Sequence, residues 1–390
     1  MSKTLQDYAT LINDTIQSNE INHYITTDNM CQNLGGIDTF KNINIPQGKV
    51  RSFQKDDILL SNIRLYFRKV YRAKQKGGCS SDVLVFRAKH IDSATLFAIL
   101  SSQIFTDYAC SGSQGSKMPR GNKTHMMDFK IPTINFTIAK IFNSIQNKIE
   151  NNHKINELLH KILELLYEQY FVRFDFLDEN NKPYQTSGGK MKFSKELNRL
   201  IPNDFEVKTL GELITWISGS QPPKSCHIYE HKEGYIRFIQ NRDYSSNDYI
   251  TYIPISKNNK ICYQYDIMID KYGEAGAVRF GLQGAYNVAL SKISVLNQSM
   301  QEYIRSYLNS KPIKKYLSNA CMASTRSSLN ENHIYSLMLP IPPINLLQKY
   351  EKIAKNIITA IIKNNQATQT LTALRDFLLP LLLTQQVKPE

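Results

Sequence analysis

Few residues of this chain stand at spacings that would support catalysis. Cys226, His227 and His231 are close in sequence, but no second matched pair completes a zinc-type set, so they read as a surface loop. The Pro-Pro pairs, Gln221-Pro222-Pro223-Lys224 and Ile341-Pro342-Pro343-Ile344, lack the Asn/Asp before and the aromatic after that an amino-methyltransferase tetrapeptide carries. Gly273-Glu274-Ala275-Gly276 falls short of a dinucleotide fingerprint, and no Gly-Lys-Ser/Thr phosphate loop occurs. No convincing Asp/Glu-x-Lys nuclease cluster stands beside them. Residues suited to a polyanion are plentiful instead. Phosphates take Lys and Arg, whereas base edges take Arg, Asn or Gln. The candidate contacts are Arg64, Arg68, Lys69, Arg72, Lys74 and Lys76, then Ser113, Gln114, Lys117, Arg120 and Asn122. In the second half they are Asn241, Arg242, Lys271 and Tyr272, with Ser324, Thr325, Arg326 and Ser327 at the place matching residues 113–123.

That match arises because the second half of the chain repeats the first. Leu5-Gln6-Asp7-Tyr8-Ala9 reads like Leu210-Gly211-Glu212-Leu213-Ile214, and Asp57-Ile58-Leu59-Leu60 like Asp266-Ile267-Met268-Ile269. Lys130-Ile131-Pro132-Thr133-Ile134 matches Pro340-Ile341-Pro342-Pro343-Ile344, and Ile149-Glu150-Asn151-Asn152 matches Ile362-Lys363-Asn364-Asn365. The offsets are 205, 209, 210 and 213, a period the size of a whole domain.

Each repeat opens with short β-like runs, clearest at 58–60, 83–86, 235–239 and 250–253, interrupted by helical stretches at 94–108 and 300–317. This mixture predicts an α+β domain. Each repeat closes with one long helix. Ile145, Ile149, Asn152, Leu159, Ile162 and Leu166 recur at coiled-coil spacing, as do Ile357, Ile361, Leu371, Leu374 and Leu378. Asn152 and Asn364/Asn365 would fix the register as buried amides. The expected order is a first domain at 1–137, a helix at 138–173, a polar ordered linker at 174–200, a second domain at 201–345, and a second helix with tail at 346–390.

Composition agrees with a folded protein that meets a polyanion. Of 390 residues, 42% are hydrophobic and 21% charged, and 48 basic against 34 acidic residues give +14. Lys41 to Lys76 holds ten Lys/Arg against Asp56 and Asp57, a net of +8. The six cysteines show no paired spacing and no secretory leader precedes them, so reduced thiols in the cytoplasm are expected. The longest apolar tract, Phe377 to Leu383, is broken by Pro380 and too short to span a bilayer.

The segment Phe174-Asp175-Phe176-Leu177-Asp178-Glu179-Asn180-Asn181-Lys182-Pro183-Tyr184, followed by Ile201-Pro202-Asn203-Asp204-Phe205-Glu206-Val207-Lys208-Thr209-Leu210, closely resembles the central region of specificity subunits of type I restriction–modification systems. Ile217-Ser218-Gly219-Ser220-Gln221-Pro222, Asn287-Val288-Ala289-Leu290 and the terminal Leu371-Thr372-Ala373-Leu374-Arg375-Asp376-Phe377-Leu378-Leu379-Pro380 resemble other parts of that family. The resemblance implies two target recognition domains, each reading half of a split DNA site, separated by two antiparallel helices in a coiled coil. It implies no active site and no cofactor in this chain. The partners it implies are double-stranded DNA, methyltransferase subunits (two of them) using S-adenosylmethionine, and restriction–translocase subunits using ATP and magnesium, with no membrane. The rival reading is a fused methyltransferase or nuclease carrying its own recognition module.

Overall fold

The two halves begin with the same hydrogen-bonded device. The Thr4 N–H donates to the Asp7 carboxylate at 2.8 Å, and the Thr209 N–H to the Glu212 carboxylate at 2.7 Å. The next residues, Leu5 and Leu210, are fully buried, so each cap pins the start of its half to a core. The structure is a computed structural model that describes residues 3–39, 41, 43–131, 134–245, 247, 249–322 and 328–383. The chain divides into unit 1, residues 1–155 with 364–390, and unit 2, residues 156–363.

Both units are α+β and share a central antiparallel sheet. In unit 1 its order is Ala9–Ile12, Val83–Ala88, Ile58–Ser61, Val70–Arg72; in unit 2 it is Ile214–Ser218, Leu290–Val295, Ile267–Asp270, Val278–Arg279. Ile58 pairs with Phe86 and Ile267 with Ile293, so register is kept as well as order. The inner strand Ile58–Ser61 is buried along its whole length, as its unbroken apolar run predicts. A second sheet in each unit is built on a Gly-containing strand, Gly77–Cys79 or Gly284–Tyr286, with a parallel neighbour on one side and an antiparallel neighbour on the other. The fourth strand is added at opposite ends: Thr15–Gln17 on the antiparallel side in unit 1, Tyr252–Pro254 on the parallel side in unit 2.

The helical stretch expected at 94–108 is two helices, Ser93–Ser101 and Gln103–Ser111. The break is chemical: Ser102 is extended, and its Oγ accepts from the Phe105 N–H to start the second helix. Unit 2 breaks at the matching serine, Ser310, between Gln301–Asn309 and Lys311–Met322, with nearly the same backbone angles. The aromatic rings Phe86, Phe97, Phe105 and Phe142 centre the core of unit 1, and Tyr303, Phe171, Phe205 and Tyr350 that of unit 2. Each is worth about 1.5–3 kcal/mol of burial.

The first long helix is Phe136–Tyr167, continued by one wider turn at Glu168–Val172, and the second is Ile344–Leu378. Each contributes a segment to both units. Within unit 1, Asn135 pairs with Leu382, Gln146 with Arg375 and Asn152 with Thr368, a descending order that makes the segments antiparallel. Within unit 2, the rings of Tyr170 and Phe171 meet Tyr350 at 5.7 and 4.8 Å, in the same register.

Ile145, Ile149, Asn152 and Ile361 are buried, and Leu159, Leu166, Ile357, Leu371 and Leu378 half-buried. Ile162 and Leu374 differ from the expected seam and are exposed; Leu163 and Arg375 turn inward instead. An α-helix has about 3.6 residues per turn, so the buried face drifts from a strict heptad and moves one residue on. The polar linker also departs from expectation, because Phe174 and Phe176 are buried in the core of unit 2.

Candidate nucleic-acid interface

In each unit the strand Ile58–Ser61 or Ile267–Asp270 delivers the chain to one junction. The N–H of the next residue, Asn62 or Lys271, donates to a loop carbonyl, Asp82 or Ala289, at 2.8 Å in both cases. The backbone then turns through a left-handed residue, Arg64 in unit 1 and Gly273 in unit 2. The carbonyls of Asn62 and Lys271 accept from the N–H groups of Gly121 and Leu329, at 3.2 and 3.0 Å. Gly121 and Leu329 are therefore anchored at equivalent points.

In unit 1 that loop closes on itself. Gln114 and Arg120 exchange both backbone bonds at 2.9 Å, which leaves Gly115 to Pro119 as an exposed tip. Gly115 has a φ of 98°, a conformation that keeps the turn tight and favours glycine. The Arg64 N–H holds the Pro119 carbonyl at 2.9 Å, and its guanidinium reaches the Lys117 carbonyl at 3.4 Å. Arg120 is exposed and pairs with Asp82 at 3.0 Å. Ser113 donates to the Ala109 carbonyl, and Asn122 caps the helix Lys123–Met127 through the His125 N–H. The corresponding Ser324, Thr325, Arg326 and Ser327 lie outside the described residues.

A third element recurs in both units. The turn after the parallel strand is closed by Thr26 N–H to Asn29 Oδ1 in unit 1 and by Gln240 N–H to Asp243 Oδ2 in unit 2, both 2.8 Å. In unit 2, Asn241 Nδ2 donates to the Tyr272 carbonyl at 3.3 Å, tying turn to strand end. Arg242 lies 5.6 Å from the ring of Tyr249, and the Lys271 ammonium 6.0 Å from that of Tyr272. Tyr249 is 68% exposed. Cations over exposed rings form a surface on which phosphates and base faces can both be held. In unit 1 the Arg64 guanidinium lies 6.0 Å from the ring of Phe67, which meets the exposed Tyr66 edge to face at 4.7 Å. Tyr249 and the Thr26–Asn29 turn escaped sequence reasoning because neither sits in a charge cluster; only the equivalence of the two turns points to them.

The basic stretch at 41–76 is less available than its charge suggests. Arg68 donates to the Ser101 carbonyl at 2.9 Å, and burial lowers its pKa. Lys69 donates to the Thr27 carbonyl. Arg72 holds Asn143 at 2.9 Å and Asp56 at 3.1 Å, and Lys74 holds Asn147 at 2.7 Å and Glu150 at 3.3 Å. These four side chains staple unit 1 together. Arg64, Gln114, Lys117 and Arg120 remain at the junction, exposed or half-buried, while Lys76 is exposed beyond the other end of the strand pair.

The arrangement supplies hydrogen-bond donors and ring faces. Burial pushes the Cys79 and Cys262 thiols up to about 12. His227 and His231 lie against different rings, Phe238 and Tyr252, each at 5.3 Å. Among the described residues, no group of three or more His, Cys, Asp or Glu is placed to hold a metal, and no helix is long and apolar enough to cross a membrane.

Residues 202–373 match the family profile described as the type I restriction modification DNA specificity domain. The MjaIX type I restriction enzyme specificity subunit of Methanocaldococcus jannaschii is 24% identical over 76% of this chain and 69% of its own length. The MjaVIII specificity subunit of the same organism is 22% identical over 50% of this chain, which spans 45% of that relative. The S subunit of the type I system of M. genitalium shares the fold, with a TM-score of 0.63 and 15% identity over 99% of this chain and 96% of that one.

Proposed function

We propose that the chain acts as a specificity subunit of a type I restriction–modification system, the family whose DNA specificity domain residues 202–373 match. It is a non-catalytic DNA sequence-specificity subunit whose two α+β units each read one half of a bipartite duplex site. The observation that carries this reading is the repeated junction. The same two backbone ties hold the strand end in both units, the same type of turn follows the parallel strand, and what varies is the side chains presented: Arg64 and Arg120 in one, Arg242, Lys271 and Tyr272 in the other. A shared scaffold with different side chains is what reading two different half-sequences requires. In the second unit, Ser324, Thr325, Arg326 and Ser327, outside the described residues, are proposed contacts on the strength of their sequence match to residues 113–123.

The long helices act as spacer and as dock. Their outward apolar positions include Leu158, Ile162 and Leu165 in the unit 2 segment and Leu374 and Phe377 in the unit 1 segment. These suit the packing of partner helices. Two methyltransferase subunits, with S-adenosylmethionine, take those places, and restriction–translocase subunits using ATP and magnesium join the complex. A fused methyltransferase or nuclease is not favoured, since no cofactor or phosphate loop is present in the sequence.

The test is binding to duplex DNA across salt. Neutralising roughly six phosphates makes affinity fall about a thousandfold between about 50 and 200 mM salt. A flat response in an electrophoretic shift series would rule out duplex binding through these cations.

Replacing Arg120 by Ala, in complex with the methyltransferase, is expected to lower discrimination of the half-site read by unit 1 by about 1–3 kcal/mol and leave the other half-site intact. Arg326→Ala is the mirror experiment for unit 2. Methylation mapping that shows both half-sequences unchanged would remove these loops from the interface.

A further inference from the structure

Among the described residues, the largest fully buried side chain is that of Arg375, a charge that the interface above does not use. It lies near the end of the second long helix. Its guanidinium donates to the Asn33 carbonyl at 3.2 Å and to Gln146 Oε1 at 3.2 Å, and pairs with the neighbouring Asp376 at 3.0 Å. Gln146, from the first long helix, uses its own Nε2 to hold the carbonyl of Leu34. One side chain from each long helix thus grips one of two consecutive carbonyls.

Those two residues are unusual. Asn33 and Leu34 both have positive φ, 52° and 60°, a conformation disfavoured for leucine that persists only where the surroundings impose it. Their N–H groups donate to the carbonyls of Phe67 and Arg68, at 2.9 and 3.1 Å. Phe67 and Arg68 close the turn that begins at Arg64, whose N–H holds the Pro119 carbonyl at the tip of the exposed loop. Arg68 is itself fixed on the Ser101 carbonyl. An unbroken series of hydrogen bonds therefore runs from the paired helices to the reading loop, every member of it within unit 1.

We propose that Arg375, with Gln146, is a positioning residue for recognition, setting the placement of the reading loop of unit 1 from the long helices. The inference rests on the reading of unit 1 as a half-site reader. An apolar side chain of similar volume would fill the same space. A buried guanidinium adds directional demands on Asn33 and Gln146 that one arrangement satisfies.

The experiment uses the chain in complex with its methyltransferase, after methylation mapping has defined both half-sequences. Binding is measured to three duplexes: cognate, first half scrambled and second half scrambled. Arg375→Met is expected to narrow the preference for the unit 1 half-sequence by about tenfold, within the range of a single base contact, while the preference for the other half stays at the wild-type value. Arg375→Lys, which keeps the charge and part of the reach, recovers some of the loss. Gln146→Met removes a smaller part of the network and shifts the same half-site, which keeps the comparison available if Arg375→Met does not fold. Equal narrowing at both half-sites, or no change at either, would overturn the proposal. A wild-type complex that does not distinguish the three duplexes would overturn the half-site reading and this inference with it.

Discussion

Replacing Arg305 by Ala is expected to destabilise unit 2 by about 3–5 kcal/mol, the cost of leaving a buried charge without its partner. The Glu302 carboxylate and the Arg305 guanidinium are almost wholly buried and meet at 2.7 and 3.1 Å. Arg305 also donates to the carbonyls of Tyr265 and Asp266 and lies 5.0 Å from the ring of Phe280. Alanine leaves the buried Glu302 carboxylate without its cation and removes a donor from the Asp266 carbonyl, while the Tyr265 carbonyl keeps its bond from Gln301 Nε2 at 2.6 Å. The double replacement Arg305→Met with Glu302→Leu should recover most of the loss, because it removes both charges while keeping the volume.

Urea unfolding is conveniently followed at the single tryptophan, Trp216, which lies in the unit 2 strand Ile214–Ser218. Glu351, whose carboxylate accepts from the Glu302 N–H at 2.8 Å, is pushed by burial up to about 7. Its contribution to stability is present below the ordinary carboxylate range and lost as pH rises through that value, so the variants are compared at one pH, about 8. A loss below about 1 kcal/mol in the single variant, the range of an exposed pair, or no recovery in the double, would show that the pair does not bear this load.

The sequence exposed the repeat because the repeat is written in capping and core residues. Thr4 with Asp7 and Thr209 with Glu212 are side chains whose types are dictated by a local hydrogen bond, and Ile58 and Ile267 by full burial. Other features are set by neighbours distant in the chain and were not legible. The run of cations from Arg68 to Lys74 looked like a contact surface, yet its partners are a helix-end carbonyl, a turn carbonyl and the polar face of the first long helix. Nothing local distinguishes a lysine that faces phosphate from one that faces Asn147. The seam drifted for a related reason. Hydrophobic spacing of three and four fits two adjacent phases, and at Arg375 the deciding contact is with Asn33, far off in sequence. Tyr249 and the Thr26–Asn29 turn carry no signal until the two units are laid over each other.

Lengthening both long helices by four residues is expected to keep both half-sequences and widen the gap between them. A helix rises about 1.5 Å per residue, so four residues add roughly 6 Å. That is at most about two base-pair steps of B-form duplex, at about 3.4 Å each. The insertions must be paired, because the antiparallel seam on one helix has to meet the seam on the other. The observed register says where. Asn152 meets Thr368 through a hydrogen bond of 3.1 Å, so an insertion just after Asn152 has its partner just before Thr368. This placement leaves the unit 1 contacts of Gln146 with Arg375 and the unit 2 contacts of Tyr170 and Phe171 with Tyr350 within their own segments. A single insertion, in contrast, shifts one seam by a turn against the other and should lower stability without defining a new spacing. Methylation mapping of the doubly extended protein reads the outcome directly. An unchanged gap, or a change in either half-sequence, would show that the helices do not measure the distance between the two readers.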